Sequence, residues 1–176
     1  VKNFTYQQEM NYIVQYEQRN KSIRNLALDQ KGNTLVLFQY VEKHGKILND
    51  MINDKTKQRK VFFIYGGTET QQRENARKIT EGEKDAIIIA SFGTFSTGIN
   101  IKNLHNIIFA SPSKSRIRNL QSIGRGLRIG SNKSKCKLFD IGDDLSWRSR
   151  KNYTLLHMVE RIKIYADEDF DYNTVE

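Results

Sequence analysis

Four short apolar runs constrain this chain more than any other feature: Leu35-Val36-Leu37-Phe38, Val61-Phe62-Phe63-Ile64-Tyr65, Ala86-Ile87-Ile88-Ile89-Ala90 and Ile107-Ile108-Phe109. None alternates apolar with polar residues, so a strand built from any of them has no face suited to water. Strands covered on both sides belong to parallel sheets, whose crossover connections lay helices on the two faces. The intervening segments read as helices. Val41, Leu48 and Met51 mark one after the first run, and Thr68 with Gln71 three residues on forms a capping-box signature for the next. A helix around Arg116 to Leu127 and a fifth strand at Lys137-Leu138-Phe139-Asp140-Ile141 continue the alternation. The pattern predicts an α/β domain, doubly wound around a mainly parallel sheet and flanked by helices. Ligands of such sheets gather at the carboxyl ends of the strands. The residues to read are therefore Gln39-Tyr40, Gly66-Gly67-Thr68, Ser91 to Asn100 and Ser111 to Ser115.

At 176 residues, the chain is expected to be a single domain over residues 1–176. Tyr6, Met10, Ile13 and Glu17 fall at helical spacing, as do Tyr153, Leu156, Val159 and Ile162, predicting flanking helices at about 4–28 and 149–166. No apolar run approaches the ~20 residues of a membrane helix. The start, Val1-Lys2-Asn3-Phe4-Thr5, is not a secretion signal, and without an initiator Met the chain is expected to be part of a longer protein; with its single cysteine, the expected setting is intracellular. A single cysteine, Cys136, excludes an intrachain disulfide and a thiolate zinc site. His44, His105 and His157 lack ligand spacing and are expected on helix surfaces or in loops; no metal site is expected.

Twenty-nine Lys and Arg against twenty Asp and Glu give a net charge of +9, which favours polyanionic partners. Lys114, Arg116, Arg118, Arg125, Arg128, Lys133, Lys135 and Lys137 crowd one stretch without an acidic residue. A solvated basic face explains such a stretch as well as a nucleic-acid contact does. Trp147 and the tyrosines have faces on which bases stack, although most are expected in the core or at interfaces.

Two segments carry recognisable chemistry. Ser91-Phe92-Gly93-Thr94-Phe95-Ser96-Thr97-Gly98-Ile99-Asn100 follows a buried strand, and its glycines and hydroxyls suit phosphate oxygens. Gln121-Ser122-Ile123-Gly124-Arg125-Gly126-Leu127-Arg128 places two guanidiniums three residues apart, on one face if helical, matching a polyphosphate in charge. Taken singly, the first could be an ordinary glycine loop and the second a basic face.

In this order, the segments resemble the C-terminal, RecA-like motor domain of superfamily-two helicases, over most of the chain. Leu35 to Phe38 is similar to motif IV. Tyr65-Gly66-Gly67-Thr68 with Gln72-Arg73-Glu74 resembles the segment after it. Ser91 to Asn100 resembles motif V, and Gln121 to Arg128 motif VI. The flanking helices are similar to those of phage recombination helicases. The resemblance implies that Arg125 and Arg128 are arginine fingers and that Gln121 couples nucleotide state to domain closure. It implies Gly98 and Asn100 near ATP, and Gln39, Gly67, Thr68, Ser91 and Thr94 at a nucleic-acid backbone. Asn100 stands where Asp is usual and Ser122 where Arg is often found, so these two positions depart from the pattern.

The sequence has no G-x-x-x-x-G-K-[ST] loop. ATP and Mg²⁺ are therefore expected to be held by an N-terminal RecA-like domain absent from this chain, which by itself is expected to be inactive. The expected function is the second motor half of an ATP-dependent helicase or translocase, its partners that domain and single-stranded or branched DNA. A non-catalytic binding module with this fold, or the motor half of a restriction or remodelling translocase, remains an alternative.

Overall fold

The computed structural model describes residues 3–67, 69–96, 103–112 and 136–176. In chain order these hold helices α1 (Tyr6–Gln15) and α2 (Glu17–Asp29), strand β1 (Thr34–Phe38), a π-helical turn (Val41–Gly45) and helix α3 (Lys46–Lys55). Strand β2 (Val61–Ile64), helix α4 (Thr70–Gly82), strand β3 (Ile87–Ser91) and the short helix α5 (Phe92–Ser96) follow. Strands β4 (Asn106–Phe109) and β5 (Lys137–Asp140) and helix α6 (Tyr153–Asp167) complete the order.

The five strands form one sheet in the order β2-β3-β1-β4-β5, with every neighbouring pair parallel. Alternate residues of each apolar run enter opposite layers. Leu35, Leu37, Ile88, Ala90, Ile107 and Phe109 pack on one face with Ala76, Phe92 and Tyr165. Val36, Phe38, Ile87, Ile89 and Ile108 pack on the other with Ile23, Ala27, Leu48 and Ile52. The unbroken apolar reading of the strands is thus two period-2 patterns superimposed.

The connections obey one hand. From β1 the chain passes outward to β2 through α3 on one face, then back inward to β3 through α4 on the other. Direction and face reverse together, so the two crossovers share a hand, as right-twisted strands require. The next crossover resumes the inward direction and again uses the α4 face, burying Phe92 and Leu104 there.

Three boundaries differ from expectation, each for a local reason. The first flanking helix is two helices, broken at Tyr16, whose ψ of 110° is extended. Asn20 accounts for the break: its buried amide donates to the Val14 carbonyl at 3.0 Å, satisfying an end group of α1. Ahead of α3, a π-helical turn tightens against β1. A Cβ on Gly45 would lie 2.5 Å from the Phe38 ring, so only glycine lets the turn approach this closely. The last helix begins at Tyr153 rather than near 149, because Trp147 and Arg150 pair across a tight turn. Its second-residue amide, on Thr154, donates to the buried Glu9 carboxylate of α1 at 3.2 Å. Arg161 grips Asp140 at 2.7 and 2.9 Å, and the Tyr165 hydroxyl donates to the same carboxylate at 2.6 Å, fastening α6 to β5.

Candidate nucleotide and nucleic-acid interface

The chain leaves β1 toward β3 and β2 and later arrives at β4 on the opposite side, so the strand order reverses between β1 and β4. In open α/β sheets this is where a crevice opens at the carboxyl ends. Here the start of that crevice is filled by a directional chain of hydrogen bonds. The Gln39 amide donates to Ser111 Oγ at 3.0 Å, and Ser111 Oγ lies 2.8 Å from His44 Nδ1. His44 Nε2 lies 2.9 Å from Asn20 Oδ1. An amide oxygen only accepts, so Nε2 carries the proton and Nδ1 accepts from the Ser111 hydroxyl. Each member therefore has a defined donor and acceptor. His44 is fully buried, and burial, reinforced by the nearby Arg19 charge, pushes its pKa down to about 3. It is a neutral imidazole at the centre of the domain, not the helix-surface or loop residue expected.

Arg19 anchors the neighbouring corner. Its Nε and Nη2 donate to the two carboxylate oxygens of Asp143 at 2.6 and 2.9 Å, and its Nη1 donates to the Ala110 carbonyl just past β4 at 2.6 Å. Bidentate geometry and burial make this pair far more constraining than a surface ion pair. The two networks tie α2, the π-helical turn and the segment after β5 to the ends of β1 and β4. A sequence signal for His44 existed: it stands three residues after Val41 and four before Leu48, on the apolar stripe of that segment.

Other candidates lie along the same edge. Ser91 pairs with Phe38 in register, so it and Gln39 leave adjacent strands at one level. Ser91 Oγ accepts from the Thr94 amide at 3.3 Å and lies 2.7 Å from the Thr94 hydroxyl. Thr94 is only 4% exposed, so the exposed Gly93 backbone is what this corner offers to solvent. Gly67 sits in the exposed turn after β2. Thr68, Gly98, Asn100, Gln121, Arg125 and Arg128 lie outside the described residues, so the structure brings together Gln39, Gly67, Ser91 and Thr94 alone.

The amino edge carries a different polar set. Fully buried Asn33 donates to the carbonyls of Glu83 and Asn103 at 2.8 and 2.9 Å and accepts from the Ala86 amide at 2.8 Å. Asn33 also donates its own amide to His105 Nδ1 at 3.1 Å. Every bond here joins one strand entry to another, which is a framework role. Among the described residues no cluster of His, Cys, Asp or Glu is arranged to hold a metal ion, and no helix is long and apolar enough to cross a membrane.

A family model described as the helicase conserved C-terminal domain matches residues 17–130. The chain belongs to this family. It is 39% identical to the ATP-dependent DNA helicase uvsW of Enterobacteria phage T4, across 98% of this chain and 36% of that protein. The crystal structure of T4 UvsW superposes with a TM-score of 0.82 at 37% identity, again over 98% of this chain and 37% of the other. The flanking helices are therefore shared with UvsW as well as the sheet. The Sulfolobus solfataricus SWI2/SNF2 ATPase core matches over 71% of this chain and 25% of that chain, with a TM-score of 0.54 at 21% identity, and shares the fold. The chain spans about a third of the length of its phage relative.

Proposed function

We propose that this chain is the second motor domain of an ATP-dependent DNA helicase or translocase acting on branched or recombination DNA. One observation supports this reading above the others: the likeness to the phage helicase extends through both flanks of the family domain, to 98% of the chain. ATP and Mg²⁺ would be shared between two domains. The chain has no G-x-x-x-x-G-K-[ST] loop, so a companion RecA-like domain would bind both. Bound there, ATP supplies the phosphoryl group whose transfer to water drives movement.

What this chain adds is charge and grip. Arg125 and Arg128 would approach the transferring phosphoryl group and neutralise the negative charge that develops on it, with Gln121 linking their approach to closure of the two domains. Gly98 and Asn100 would lie near the nucleotide. Asn100 keeps hydrogen-bonding capacity but brings no charge to a ribose hydroxyl. Gln39, Gly67, Thr68, Ser91 and the backbone around Gly93 and Thr94 would hold the nucleic-acid backbone. Contacts made to phosphates alone carry no sequence choice, which suits a motor that must pass every sequence. The expected setting is intracellular.

The deciding experiment is Arg128→Ala in the longer protein. ATP turnover stimulated by DNA should fall about a thousand- to a hundred-thousand-fold, the range for an arginine finger, while DNA affinity stays within a few-fold. Turnover near that of the wild type would remove the finger assignment.

A further inference from the structure

The turn that delays α6 has consequences of its own. Trp147 and Arg150 exchange backbone hydrogen bonds at 3.0 Å in both directions, with Arg148 held at a φ of 55° between them. The turn is rigidly based. The Leu145 amide donates to Asn152 Oδ1, the Asn152 amide donates to the Asp143 carbonyl, both at 2.9 Å, and Asp143 is the carboxylate that Arg19 clamps. Beside it opens a cavity of about 440 Å³, whose wall includes Phe4, Trp147, Arg150, Lys151, Tyr153 and Leu156. Trp147, the sole tryptophan, is 48% exposed, and Tyr153 is 39% exposed with its ring set edge-on against Tyr6.

We propose that this cavity is a second contact for single-stranded nucleic acid, with a base stacked on Trp147 and phosphates on Arg148, Arg150 and Lys151. It rests on the reading above that the chain works on nucleic acid, and it adds a site remote in sequence from the helicase-like motifs. Three features select this occupant. A half-exposed indole presents a flat apolar face, and every base has a face to stack on it. Arg148 and Arg150 are exposed and form no ion pair with a described residue, so both are available to an anion. Asp143 is paired with Arg19, and Glu9, on the cavity wall but only 1% exposed, accepts from the Thr154 amide through one oxygen while the other is unpartnered, so the phosphates are placed on the exposed Arg148, Arg150 and Lys151 rather than deep in the cavity. Asp144 alone faces solvent here; hydrogen bonds from Ser146, and after them the Lys151 charge, lower its pKa. An aromatic face set among exposed cations is the arrangement that holds unpaired strands without reading their sequence.

The single tryptophan makes the test specific to this site. The 176-residue chain is titrated with a short single-stranded oligodeoxynucleotide while Trp147 emission is followed; a fluorescein label on the oligonucleotide reports total binding by anisotropy. The expected result is saturable quenching of Trp147 that tracks the anisotropy. Heparin, a polyanion without bases, should compete for binding yet leave the emission unquenched. Trp147→Ala should weaken anisotropy-detected binding about 5- to 150-fold, the range for loss of one stacked base. Arg148→Ala with Arg150→Ala should lower the salt dependence by about 1.4, or about 0.7 per lost single-strand phosphate contact. Far-UV circular dichroism confirms that each variant is folded. Binding without quenching, together with unchanged affinity in Trp147→Ala, would overturn this site and leave the motor reading intact. Absence of binding by both readouts would overturn it too, because Trp147, Arg148, Arg150 and Lys151 all lie in the titrated chain. The motor reading is judged separately, by ATP turnover in the longer protein.

Discussion

His44 gives the sharpest test of how the carboxyl edge is held together. Its imidazole is neutral in the folded domain, with a pKa near 3, but ordinary in the unfolded chain, near 6.5. The sign follows from linkage. Above pH 6.5 both states are neutral there and the group adds no pH dependence; as pH falls below 6.5 the unfolded chain takes up a proton that the folded domain refuses. Stability is therefore lost from pH 6.5 downward and levels off near pH 3. The full window corresponds to about 5 kcal/mol, of which about 2 kcal/mol is lost by pH 5. His44→Gln removes the titration while keeping one donor and one acceptor, at a cost of about 1–3 kcal/mol near neutral pH. Urea unfolding of both proteins, followed by circular dichroism between about pH 8 and pH 5, isolates the term, since the carboxylates common to both cancel. The stability gap between wild type and variant should close by about 2 kcal/mol across that range. A gap constant to within about 0.5 kcal/mol would mean that the histidine titrates alike in both states, and a gap that widens toward pH 5 that it is protonated in the folded domain; either would make the hydrogen-bond directions derived above wrong.

Other perturbations probe the remaining joints. Asp140→Ala removes the bidentate carboxylate from buried Arg161 and the acceptor from the Tyr165 hydroxyl, and should cost about 3–5 kcal/mol in urea unfolding. Gly45→Ala drives a methyl group into the Phe38 ring and should lower stability by about 1–3 kcal/mol, measurable as a lower Tm. Burial pushes the Cys136 thiol up from 9.0 to about 11, so alkylation by iodoacetamide near neutral pH should run about a hundred-fold slower than for an ordinary thiol; equal rates would show the side chain to be open to solvent.

What could be read from the sequence, and what could not, divides by the range of the interaction. The strands were legible because burial on both faces leaves an unbroken apolar run at each of β1, β3 and β4, and that is a local property of three to five residues. The resemblance to helicase motifs was legible for the same reason, since Ser91 to Asn100 and Gln121 to Arg128 are contiguous. The joints were not. Arg19 and Asp143 are 124 residues apart, and His44 and Ser111 are 67 apart. Nothing in the spacing of either pair distinguishes it from other charged or hydroxyl residues nearby. Tyr16 breaks a periodic helix without glycine or proline, because an asparagine four residues later takes the carbonyl that continued winding would have used. Polar residues that fasten elements together have no period of their own; their trace in the sequence is an interruption in someone else's. His44 on the Val41–Leu48 stripe is such an interruption. A titratable residue there must either be solvated, which the stripe forbids, or find partners for both ring nitrogens, and only the fold could show that Ser111 and Asn20 supply them.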